Sequence, residues 1–182
     1  MRTTATTPPQ RPRGARLGID VGRARVGVAA SDPGGILATP VETLFRDPKK
    51  RFDQRIIVKQ AVERGATLIY VGHPLNLQGE ETASTLDAVQ YAEQLRRLLD
   101  RNESGIEVRL VDERLSTVSA SRDLHEAGRT TREQRSVIDQ VAAVHILQHA
   151  LDMEQSQGEN IGRVVVMTET PQRTEGSAQS HE

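Results

Sequence analysis

Residues 16–31 read RLGIDVGRARVGVAAS. Two apolar runs, 16–21 and 26–31, flank a short polar segment, the pattern of two antiparallel strands joined by a tight turn. Asp20 interrupts the first run, where an unpaired carboxylate is costly to bury. Strand alternation puts Gly18, Asp20 and Gly22 on one face and Leu17, Ile19 and Val21 on the other. The two glycines leave room for something bulky to reach the carboxylate. The carboxylate itself requires a cation, either an arginine or a metal.

Working outward, a third strand is expected over 36–44, entered through the turn DPGG at 32–35. Residues 47–65, DPKKRFDQRIIVKQAVERG, read as a helix with Ile56, Ile57, Ala61 and Val62 as its apolar stripe and Gly65 as its stop. TLIYVG at 67–72 is a short continuous apolar run, as in a strand buried on both faces of a parallel sheet. A polar loop, HPLNLQGEETAS at 73–84, leads to a helix reaching about residue 100, with Ala88, Tyr91, Ala92, Leu95 and Leu99 at helical spacing. IEVRLVDE at 106–113 is the next strand. STVSASRDLHEAG at 116–128 is the next helix, with Ser116 as its N-cap, and RTTREQR is a basic connection. A last helix over 136–153 precedes Gly158, and GRVVVMTE at 162–169 offers a short extra strand.

Three strands with short connections form an antiparallel meander, and strands that follow helices pair in parallel. The expected fold is α/β: a mixed five-stranded sheet, an antiparallel meander followed by parallel strands, with helices packed on it. The expected organisation is a disordered N-terminal arm over 1–15, one domain over 16–153, and a mostly disordered tail over 154–182.

Composition narrows the chemistry. Among 182 residues there is no cysteine, which removes disulfides, thiolate zinc sites and cysteine nucleophiles and is compatible with a reducing compartment. Aromatic residues are 2% and tryptophan is absent, so the core is aliphatic and a base-stacking platform is not expected. No apolar run approaches the roughly 18 residues of a membrane span, and the N-terminus lacks the apolar core of a secretory signal. A soluble cytoplasmic protein is expected. The net charge is -1, yet seven Lys or Arg face three acids over 46–64, and five Arg face three acids over 114–135. Such local patches permit a polyanionic partner without requiring one.

Two further acids join Asp20 as candidates. Asp112 and Glu113 end an apolar strand just before a helix, where functional groups of open α/β sheets gather, and alternation lets only one of them face a site. Asp139 shares a helix face with Ala142 and Ala143, whose small side chains would let that helix lie close to the sheet. Three carboxylates from two strands and a helix would suit Mg²⁺ or Mn²⁺ and the hydrolysis of a phosphodiester. Read singly, each acid is as well explained as a cap or an ion-pair partner. His145 and His149 stand at i, i+4 but lack the HExxH pattern of a zinc helix. His73 is a loop candidate for proton transfer.

The segments GIDVGRARVGVAASD, VGHPLNLQG, VDERLST and IDQVAAVHILQHALD, in this order, closely resemble the YqgF (RuvX) family of RNase H-like nucleases, over about residues 16–152. Members are described as candidate Holliday-junction resolvases and as nucleases that trim the 5′ end of precursor 16S ribosomal RNA. The resemblance implies an RNase H-like fold and a divalent-metal-dependent hydrolase in which Asp20, Glu113 and Asp139 are catalytic and hold Mg²⁺ or Mn²⁺. It also implies that Arg23, Arg25, Asn76 and Arg114 meet the substrate, structured RNA or branched DNA, with ribosomal precursor particles as partners and a monomer or homodimer as the assembly. His73 stands where the family commonly has an apolar residue. The connection before the last helix, often lysine-rich in the family, here carries Arg129, Arg132 and Arg135.

Two other classes compete. GIDVG also resembles the first phosphate loop of actin- and hexokinase-like enzymes, but the chain lacks their second half-fold and second phosphate loop. A non-catalytic nucleic-acid-binding factor would not need the acid triad at all.

Overall fold

The computed structural model describes residues 14–113 and 132–166. The strands are β1 (Ala15–Val21), β2 (Arg25–Ser31), β3 (Ala38–Phe45), β4 (Ala66–His73), β5 (Glu107–Asp112) and β6 (Arg163–Val164). The helices are α1 (Phe52–Glu63), α2 (Ala83–Arg101) and α3 (Arg132–Gln157). The six strands form one sheet in the order β3-β2-β1-β4-β5-β6. β1, β2 and β3 are an antiparallel meander, β4 runs parallel to β1, and β5 parallel to β4. β6 adds a two-residue antiparallel edge to the five expected strands, inside the short extra strand that the sequence offers at 162–169. The helix expected at 116–128, with Ser116 and Thr117, lies outside the described residues, as do the N-terminal arm to residue 13 and the tail after 166.

Each sheet face has its own core. On one, Leu17, Ile19, Val26, Val28, Ile69 and Val71 meet Ile57 and Ala61 of α1 and Tyr91, Leu95 and Leu99 of α2. On the other, Ala29, Leu68, Tyr70 and Val111 meet Ala143, Leu147, Ala150 and Leu151 of α3. Each leucine fully withdrawn from water contributes about 2 kcal/mol. α2 begins with a capping box in which Thr82 and Thr85 satisfy each other's backbone N–H.

Several boundaries differ from expectation for local reasons. β3 starts at Ala38 because the Asp32 carboxylate accepts hydrogen bonds from the N–H groups of Leu37, Ile36 and Gly34, closing a turn that leaves Ile36 and Leu37 exposed. Those donors hold the Asp32 carboxyl below the ordinary carboxylate range. α1 starts at Phe52 because the Asp47 carboxylate gathers the N–H groups of Lys49 and Lys50 into a preceding turn. Its buried face is Asp53, Gln54, Ile57, Val58 and Ala61, whereas Ile56 and Val62 are exposed.

β1 begins at buried Ala15, inside the span expected to be a disordered arm. At the other end, α3 continues to Gln157, four residues past its expected limit. Glu154 explains the extension. It is fully buried, accepts a hydrogen bond from the Tyr70 hydroxyl and pairs with Arg16 at 3.3 Å.

Candidate active site

Pairing register fixes where Asp20 points. Asp20 lies opposite Gly27 in the antiparallel β1–β2 pair, so the two share a face. A Cβ on Gly27 would run into the backbone carbonyl of Asp139, and one on Gly18 would lie 2.8 Å from the carbonyl oxygen of Ala143. The face that carries Asp20 is therefore the face on which α3 rests. The glycine beside Asp20 does not hold space open for a ligand, as the sequence suggests. Gly18 admits α3 itself, and Gly22 closes the hairpin, its Cβ position lying 2.9 Å from the Arg25 carbonyl oxygen. Asp20 is almost wholly buried, with 2% of its surface exposed.

Glu113 reaches the same face from β5. Alternation puts Val111 against α3 and Asp112 on the reverse side, and Glu113, just past the strand, returns to the α3 side. Its carboxylate occupies the space that a Cβ on Gly72 would need. Gly72 follows Tyr70 by two residues on β4, and Tyr70 is the register partner of Gly18 on β1. Asp20 and Glu113 thus approach one another over the adjacent ends of β1 and β4. Asp112 is the register partner of His73, and both line a groove of about 740 Å³ at the β5 edge, together with Arg109 and Met153.

Asp139 arrives from α3 and meets an arginine. The Arg25 Nε donates to Asp139 Oδ2 at 2.7 Å, and both side chains are mostly buried. Arg25, expected to grip substrate, is thereby engaged with an acid of the site. A second anchor, from the Thr43 hydroxyl to the Ser136 carbonyl at 2.8 Å, fixes the start of α3 over β3.

The other candidates are more dispersed. The Asn76 side chain closes its own loop: its Oδ1 accepts from the Glu80 N–H at 2.8 Å and its Nδ2 donates to the Glu80 carboxylate at 3.0 Å. Arg23 sits exposed at the tip of the β1–β2 hairpin. Arg114 lies outside the described residues. His149 is half-buried and His145 exposed on α3.

Among the described residues, no group of three His, Asp or Glu side chains is gathered into a finished metal cage. The donor chemistry nevertheless fits a hard divalent ion, since three carboxylates face the same end of one sheet surface. In the geometry described, Arg25 holds the charge of Asp139, so an ion there would share or displace that guanidinium. Sequence reasoning did not find Gly27 or Gly72, whose missing side chains seat Asp139 and Glu113. Both stand on the face of their strands that alternation assigns to Asp20 and Tyr70, which is the signal that was available.

A twisted mixed sheet between α1–α2 and α3, with acids at the carboxyl ends of β1 and β5, defines an α/β protein of RNase H-like fold. The solved structure of T. thermophilus RuvC in complex with a Holliday junction substrate superposes with a TM-score of 0.51, covering 82% of this chain and 99% of that one at 15% identity. The family model described as "RuvX: Holliday junction resolvase" matches residues 14–153, and the chain belongs to that family. A Clavibacter michiganensis protein named "Putative pre-16S rRNA nuclease" is 55% identical over 152 residues, covering 84% of this chain and 91% of its own. Proteins of the same name from Kineococcus radiotolerans and Mycolicibacterium smegmatis are 49% and 50% identical, covering 84% and 79% of this chain and 78% and 84% of their own. Among the described residues no helix is long and apolar enough to cross a membrane.

Proposed function

We propose that this protein is a divalent-metal-dependent endonuclease, a hydrolase of phosphodiester bonds that processes the 5′ end of precursor 16S rRNA in the cytoplasm. The observation that carries the reading is the shared face. Asp20 of β1, Glu113 after β5 and Asp139 of α3 all lie on the α3 side of the sheet, two of them seated over glycines. The names of the relatives support RNA over branched DNA as substrate.

Asp20, Glu113 and Asp139 would hold Mg²⁺ or Mn²⁺ through hard oxygen ligands. Bound there, such an ion supplies a water of lowered pKa and stabilises the leaving oxygen. The chain's own groups position the rest. Arg25 fixes the Asp139 carboxylate against β2, and Gly27 sets how deeply that part of α3 descends. Arg23 is exposed at the hairpin beside Asp20 and has no ion-pair partner among the described residues, which leaves its guanidinium for a substrate phosphate.

The test is cleavage of end-labelled precursor 16S RNA and of a four-way DNA junction by wild type, Asp20→Asn and Glu113→Gln, with Mg²⁺, Mn²⁺ or EDTA. Metal-dependent cutting of the RNA, lost in both variants, is expected. Cutting of the junction alone would transfer the site to resolvase chemistry. Binding without cutting of either would make the protein a non-catalytic factor.

A further inference from the structure

On the opposite side of the β1–β2 hairpin from Asp20 lies a cavity of about 400 Å³ lined by Arg23, Arg46, Arg51, Gln54, Tyr91 and Gln94 among others. It adjoins the site, because Arg46 Nη1 donates to the hairpin carbonyl of Gly22 at 3.2 Å. Its charges divide into two kinds. Arg46 is neutralised by a two-pronged pair with Asp87, at 2.5 and 3.0 Å, the Asp53 carboxylate accepts from the Tyr91 hydroxyl at 2.9 Å, and the Asp47 carboxylate, also in the lining, is taken up by the N–H groups of Lys49 and Lys50. Arg23 and Arg51 have no hydrogen-bond or ion-pair partner for their guanidinium groups among the described residues. Arg51 also precedes the first turn of α1, whose N–H groups have no side-chain cap.

The second observation is Gln54. Its side chain is 98% buried, since only 2% of its surface is exposed, and it lines the cavity. Its Nε2 donates to Gln94 Oε1 at 2.9 Å, but its Oε1 is buried with no hydrogen-bond partner. A buried acceptor left unmatched is a cost that a ligand's donor would remove. The wanted ligand therefore carries an anionic group and, close to it, a hydroxyl or amino donor. A nucleotide has both. The one aromatic ring in the cavity, Tyr91, already has the Arg46 guanidinium over it at 5.3 Å from the centroid, so that face is not open to a stacked base. Sugar and phosphate are what remain.

We propose that this cavity is a ribonucleotide subsite, binding a backbone phosphate through Arg23, Arg51 and the first turn of α1, and the 2′-hydroxyl of the attached ribose through Gln54 Oε1. The inference rests on the reading of the protein as a nuclease of RNA and adds the means by which it tells RNA from DNA, since the 2′-hydroxyl is the group DNA lacks. A strand cut at Asp20 would cross the hairpin and place a neighbouring nucleotide here.

The test measures binding in EDTA by fluorescence anisotropy, so it does not depend on whether the three acids are catalytic. The full chain is titrated with a single-stranded RNA, the DNA of the same sequence, and RNAs carrying one 2′-deoxy substitution at each position in turn. Wild type is expected to prefer RNA and to lose about fivefold to tenfold in affinity, the worth of one neutral hydrogen bond, when one particular position is deoxy. Gln54→Met is expected to remove that sensitivity while leaving DNA affinity unchanged. Arg51→Gln should weaken RNA and DNA alike and flatten the salt dependence. Equal RNA and DNA affinity in wild type, or a uniform deoxy scan, overturns the proposal, and neither result requires a variant to fold. Loss of cleavage in Asp20→Asn with this binding pattern absent would retain the nuclease and reject the subsite.

Discussion

Arg25 and Asp139, 114 residues apart in the chain, meet at 2.7 Å and lock the β1–β2 hairpin to α3. Their side chains are 19% and 21% exposed, so the pair is partly shielded from water and its attraction is stronger than that of a surface pair. The same carboxylate is one of the three that would hold an ion. Arg25 thus acts as a built-in counter-charge, holding the Asp139 carboxylate in place when no metal neutralises it.

Replacing Arg25 should therefore have two effects of opposite sign. Arg25→Gln should lower stability by about 1 kcal/mol in urea unfolding without metal. The same variant should bind Mn²⁺ more tightly, because the ion no longer competes with a guanidinium for Asp139. Thermal unfolding across a Mn²⁺ titration reads both, since a ligand of the folded state raises the midpoint with the logarithm of its concentration over its Kd. A Mn²⁺ response unchanged by the substitution would make Asp139 a structural partner of Arg25 and not a ligand.

Two glycine-to-alanine changes should separate stability from activity. At Gly27 a methyl group meets the main-chain carbonyl of Asp139, which cannot rotate aside, so α3 must lift from the sheet. Overpacking of this kind costs about 1–3 kcal/mol. At Gly72 the first atom met is the end of the Glu113 carboxylate, followed by Ile146 Cδ1 at 2.7 Å, and both can swing away. Gly72→Ala should be the milder change in urea unfolding and should lower the cleavage rate by moving Glu113. Equal stability losses with full activity in Gly72→Ala would remove Glu113 from the site.

How much of this could be read from the chain depended on the range of each interaction. The antiparallel meander, the parallel pairing of the later strands, the α2 face and the face that Asp20 shares with Gly18 and Gly22 follow from connection lengths, alternation and helical spacing, which are local. The face of α1 keeps Ile57 and Ala61 of the expected stripe but turns Ile56 and Val62 outward, because Asp53 and Gln54 are polar and yet buried, their partners Tyr91 and Gln94 coming from α2. The sequence marks Gly18 as space but cannot say whether a ligand or a helix fills it. No spacing rule links Arg25 to Asp139, so the chain alone leaves Arg25 open between a substrate phosphate and an acid of the site.

Alkaline pH should unfold the protein through its two tyrosines. Burial first, then the neighbouring Asp53 carboxylate, pushes the Tyr91 phenol far up. Burial, then the hydrogen bond to Glu154, does the same to Tyr70. In the unfolded chain each phenol loses its proton near pH 10. Above that pH the unfolded state binds fewer protons than the folded one, so stability is intact below about pH 10 and falls as pH rises beyond it. Urea midpoints between pH 8 and 11 should drop steeply in wild type and less steeply in Tyr91→Phe. A parallel profile in the variant would mean that the Tyr91 proton is not held by the fold.

Glu154 lies one residue beyond the stretch matched by the family model, and it should matter as much as any core residue. It is 0% exposed, accepts from the Tyr70 hydroxyl and pairs with Arg16, which is itself 2% exposed and donates to the Gly14 carbonyl. Removing one partner of a buried ion pair costs about 3–5 kcal/mol, because the remaining charge stays in a poor solvent, whereas replacing both with apolar groups costs far less. Glu154→Ala and a truncation after Met153 should both lower the unfolding midpoint strongly, and Arg16→Met with Glu154→Leu should recover much of the loss. Arg16 lies near the start of β1 and Asp20 near its end, so cleavage per folded molecule should stay the same in the double variant. Loss of cleavage in a well-folded double variant would instead tie this buried pair to the placement of α3 over the acids.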